Sequence, residues 1–67
     1  MNTHTIDSAA AALLRSRLLE LARRQDDLAA QEAATTPYWK PQPAPVHGHR
    51  SAADALRAEA DLVLPAL

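Results

Sequence analysis

The chain of 67 residues has no cysteine and no phenylalanine, and it holds a single glycine, a single tryptophan and a single tyrosine, Tyr38 beside Trp39. Each shortage excludes something. Without cysteine there is neither a disulfide nor a thiolate metal ligand to staple so small a domain. With Gly48 alone there is no glycine-rich loop to cradle a phosphate. Long apolar runs are missing too: the richest stretch, Ser8 to Leu14, stops at Arg15, short of the ~18 residues a membrane span needs. The first cation follows that stretch, against a secretory leader, and Asp7, Glu20, Asp26 and Asp27 speak against an organelle transit peptide. Seven basic and eight acidic residues leave a net charge of −1, so neither sign dominates. These absences lead us to expect a cytoplasmic protein with no membrane partner.

What the chain has is alanine and leucine, sixteen and ten residues, together with six arginines. Heavy use of Ala, Arg, Leu and Asp is the compositional habit of GC-rich bacteria and their phages. Placed at about 100° per residue, Ile6, Ala10, Leu14, Arg17, Leu18, Leu21, Gln25, Leu28 and Glu32 share one broad stripe, with Leu14, Leu18, Leu21 and Leu28 as its spine. This spacing predicts a long helix over about 6–35. Thr5 or Asp7 can cap its start, and Thr35-Thr36 before Pro37 ends it, because the residue before a proline is pushed out of the α region. A second helix is expected over about 51–64, opened by the capping-box pattern Ser51-Ala52-Ala53-Asp54 and closed by Pro65. Ala52, Ala53, Leu56, Ala60 and Val63 line one side of it. Between the helices lies a proline-rich strap, 37–49, carrying Tyr38 and Trp39.

The expected architecture is therefore all-α: one small helical domain over 1–67, a helical hairpin with an N-terminal tail (1–5) and a Pro/aromatic linker (36–50). A second helix of about 20 Å would cover less than half of a first helix of about 43 Å. Either the strap runs back along the first helix, laying Tyr38 and Trp39 on its alanines, or another chain completes the interior. Leu19, about 140° from the leucine spine, favours the second arrangement, since an isolated hairpin would leave it in water.

Few residues could carry function. Trp39 and Tyr38 are rigid, large side chains among prolines, suited either to plug the loop end of the hairpin or to anchor an interface. The prolines stand four, two and two residues apart, so no P-x-x-P ligand exists. His47-Gly48-His49 is an H-x-H that could place two imidazoles on one metal, but two ligands do not complete a site, and no metal or other cofactor is expected. The apolar tail from Leu62 to Leu67 can close the end of the bundle or serve as a docking peptide. No nucleophile, base and acid share a frame, and a hairpin has no concave site, so neither an enzyme nor a small-molecule substrate is expected. The expected role is a non-enzymatic interaction or assembly protein that binds itself, as a dimer or higher oligomer, or another protein. The interface residues would be Leu14, Leu18, Leu21, Leu28, Tyr38, Trp39, Leu56 and Val63. The alternative is a small dimeric nucleic-acid-binding regulator using Arg15, Arg17, Arg23 and Arg24. It is disfavoured because these arginines lie on different sides of the helix and have acidic neighbours at helical spacing.

Overall fold

Asp7 starts the first helix: its carboxylate Oδ1 accepts a hydrogen bond from the backbone N–H of Ala10 at 2.8 Å, which occupies one of the free donors of the opening turn. Helix α1 then runs Ser8–Ala34, 27 residues and about 40 Å. It stops where the threonines turn back on it. The hydroxyls of Thr35 and Thr36 both donate to the carbonyl of Glu32, at 2.9 and 3.1 Å, and Pro37 then prevents continuation. The structure is a computed structural model that describes residues 7–63. The expectations on Thr5, Ile6 and the tail from Leu64 to Leu67 lie outside the described residues.

Helix α2 is Ala44–Leu62, 19 residues, and it begins seven residues ahead of the expected Ser51. The prolines at 43 and 45 start this helix where an extended strap was expected. Pro43 sits at the N-cap and Pro45 in the first turn, where a missing N–H leaves no bond unmade and a fixed φ suits the helix. Ser51 becomes an exposed position inside the helix. Magnitudes explain the outcome. Gly48 in a helix interior costs about 1 kcal/mol, whereas burying Val46 completely contributes about 1.5–3 kcal/mol. Burial wins. The connection shrinks to residues 35–43, too short to run back along α1.

The described residues thus form an all-α hairpin of two antiparallel helices, with no strand among them. Its interior is an alanine seam. Ala11, Ala22 and Ala29 of α1 and Val46, Ala53 and Ala60 of α2 are the buried residues. Half-buried Leu18 and Gln25 on α1, and His49 and Leu56 on α2, fall between them, so both helices repeat in steps of three and four. Small side chains every seventh residue let two helices approach closely, and close approach is what selects alanines over leucines for the contact. The seam is rotated by about 60–100° from Leu14, Leu21 and Leu28.

Candidate functional site

A cross-helix hydrogen bond joins the two helices within the seam: His49 Nδ1–H donates to Gln25 Oε1 at 2.7 Å. On one side of the seam the helices are joined by charge. Arg57 of α2 pairs with Asp26 of α1 and with its own Asp54 at 3.4 Å, and Arg15 lies 3.7 Å from Asp61. The hydrogen bond to Asp26 raises the pKa of Arg57 above its ordinary value. Leu19 is on this side, half-buried in a shallow groove with Ala11, Ala12, Arg15 and Val63. The hairpin shelters Leu19 in part by itself, so the expectation that it would stand in water does not hold.

The other side is apolar. Leu14, Leu21 and Leu28, each seven residues from the next, form a straight row along α1 and are 41%, 43% and 41% exposed. Half-buried Leu18 and Leu56 border the row on the seam side, and Leu28 shares a shallow groove with Glu32, Thr35 and His49. On its outer margin Arg17, Glu20 and Arg24 surround Leu21. Glu20 is 3.2 Å from Arg17 and 3.9 Å from Arg24, so the margin is a string of alternating charges along one helix. The second helix is long enough to cover about two thirds of the first. The leucines are left uncovered because they lie beside the contact, and the shortfall is sideways where a lengthwise one was expected.

Tyr38 and Trp39 occupy the turn. Their rings meet edge to face with centroids 5.1 Å apart, and they are 95% and 70% exposed. They neither plug the loop end nor lie on the alanines of α1. With only residues 35–43 between the helices, the aromatics have no length of chain to bring them back. Val63, at the end of α2, is half-buried. The H-x-H falls inside α2, where positions two apart point about 200° from each other. His47 faces water and His49 faces Gln25, so one ion cannot take both. Among the described residues no three His, Cys, Asp or Glu side chains gather as a metal site, and no helix is long and apolar enough to cross a membrane.

Sequence reasoning found the leucines as interface residues but expected the second helix to pack along part of the same stripe. The overlooked signal was the alanine repeat on α2 at 53 and 60, in phase with Val46, which marks a close contact by small residues. No protein-family model, curated protein or solved structure matches the chain.

Proposed function

We propose that the protein acts by association, as a non-enzymatic interaction or assembly protein, and that the Leu14, Leu21 and Leu28 face is the surface it uses. One observation carries this reading: three leucines in a single row stay more than two-fifths exposed while alanines fill the interior. A row of large apolar side chains bordered by charges is the composition of a surface that another helix covers. Tyr38 and Trp39, exposed at the turn, extend the same function to the tip of the hairpin. The cytoplasm, a reducing compartment, suits a chain without cysteine. The arginine reading has less support, because Arg15, Arg17 and Arg24 each stand within 4 Å of an acidic partner.

The test is a photoreactive amino acid placed at Leu21 and, as a control, at Ala30 on the opposite side of α1, with irradiation of living cells. Adducts to protein from position 21 and not from position 30 are expected. Equal labelling from both positions, or none from position 21, would overturn the proposal.

A further inference from the structure

The occupant of the leucine face can be read from its charges. We propose that it is a second copy of this chain, seated antiparallel across a two-fold axis at Leu21, so that α1 packs on the partner's α1 and two hairpins make a four-helix bundle. The inference rests on the leucine face being the working surface, and it adds the identity and direction of what covers it.

Direction follows from symmetry. Leu14 and Leu28 are equally far from Leu21, so an antiparallel two-fold lays Leu14 on the partner's Leu28 and Leu21 on the partner's Leu21. The margin supplies an independent observation. Beside Leu21 the margin carries Glu20 and Arg24, with Arg17 next to them. An antiparallel partner brings Arg24 beside the partner's Glu20 and Glu20 beside the partner's Arg24, two pairs of opposite charge. Their centre is position 22, so each pair stands two residues, about 3 Å, out of level with the leucine row, a distance that long side chains absorb.

The same margin must face itself for this to work, and in an antiparallel pair it does. Inside the hairpin, Gln25 and His49 meet on the leucine side and Asp26 and Arg57 meet on the other, like side to like side. A parallel pair would turn the charged margin toward Leu18 and Gln25 instead, leaving it unmatched.

In this arrangement the two copies of α2 also meet on their leucine sides, where half-buried Leu56 lies. The directions from α1 to α2 and from α1 to the partner's α1 differ by about 80–90°, the corner angle of a four-helix bundle.

Charge reversal in two separate variants tests the pairing. In Glu20→Arg alone, and in Arg24→Glu alone, like charges meet twice across the axis, and dimerisation measured by sedimentation equilibrium should weaken by about tenfold or more. Mixed in equal amounts, the two variants should recover dimerisation, because each then meets its opposite. The intrahelical pair of Glu20 with Arg24 is broken in both and cannot be repaired by mixing, so helicity followed by circular dichroism separates a folding defect from a pairing defect. Single cysteines, unambiguous in a chain with none, test direction. Under oxidation Leu21→Cys should cross-link with itself, and Leu14→Cys only with Leu28→Cys, since two copies of position 14 would be about 21 Å apart. Self-cross-linking of Leu14→Cys, or no gain on mixing the charge variants, overturns the antiparallel pair. A folded monomer at every concentration overturns the second copy as occupant; if Leu21 then still photolabels another protein in cells, the leucine face keeps its role.

Discussion

His49 Nδ1 and Gln25 Oε1 lie 2.7 Å apart and join the two helices across 24 positions of sequence. Both occupy seam positions that an apolar residue would ordinarily fill, and a polar pair there fixes which turn of one helix meets which turn of the other.

Removing one member should therefore cost more than removing both. In Gln25→Leu the imidazole N–H of His49 loses its acceptor, and the loss of stability in urea unfolding should be about 1 kcal/mol, held down by partial access to water. Adding His49→Leu should restore stability to the wild-type level or above, because two leucines pack and leave nothing unpaired. A double variant weaker than Gln25→Leu would show that the pair does more than satisfy itself. All samples are compared at one protein concentration, since association shifts apparent stability.

Gly48 gives an opposite sign. It lies in the interior of α2 with ordinary helical φ, and a Cβ added there meets nothing within 4 Å. Gly48→Ala should raise stability by about 0.5–1 kcal/mol, mainly by narrowing the unfolded ensemble. Had residues 47–49 been the end of an extended strap, the substitution would bring no helical gain. Thermal unfolding of the variant distinguishes the two.

These two positions show what was legible in the sequence and what was not. The first helix was readable almost to its ends, because Asp7 and Pro37 act locally through a cap and a steric block. The hairpin followed from the break between two helical patterns. The start of α2 was not readable from local signals. Pro43 and Pro45 are equally at home in an extended strap and in a first helical turn, and the choice is made by the burial of Val46 against α1, a contact distant in sequence. For the same reason the leucines were found and their placement was not. Periodicity tells which residues share a face, but only packing decides whether that face or the alanine row beside it turns inward.

Trp39 offers a direct reading of the turn. At 70% exposure, with Tyr38 meeting it edge to face, it should emit like an indole in water and be readily quenched by iodide. Trp39→Ala should shift stability by no more than about 0.5 kcal/mol, as for a surface position. A blue-shifted spectrum that resists quenching in the isolated protein would place the ring in a packed environment, contrary to the exposed turn.

The alanine seam makes the sharpest demand on side-chain size. Ala22 and Ala53 are buried between the helices, Ala22 in the middle of α1 and Ala53 in the middle of α2. A leucine at either place has no room unless the helices separate, and Ala22→Leu or Ala53→Leu should lower stability by about 1–3 kcal/mol despite the added apolar surface. Leucine is the better residue by hydrophobicity and nearly equal by helix propensity, so a loss can come only from overfilling. The contrast lies one residue away: Leu21→Ala, at a 43% exposed position beside the seam, removes no part of that contact. Its effect should appear in the association constant from sedimentation and not in the unfolding of the hairpin at low concentration. If Ala22→Leu were stabilising while Leu21→Ala unfolded the isolated chain, the leucines would be the interior and the alanines the surface, and the hairpin would be packed the other way round.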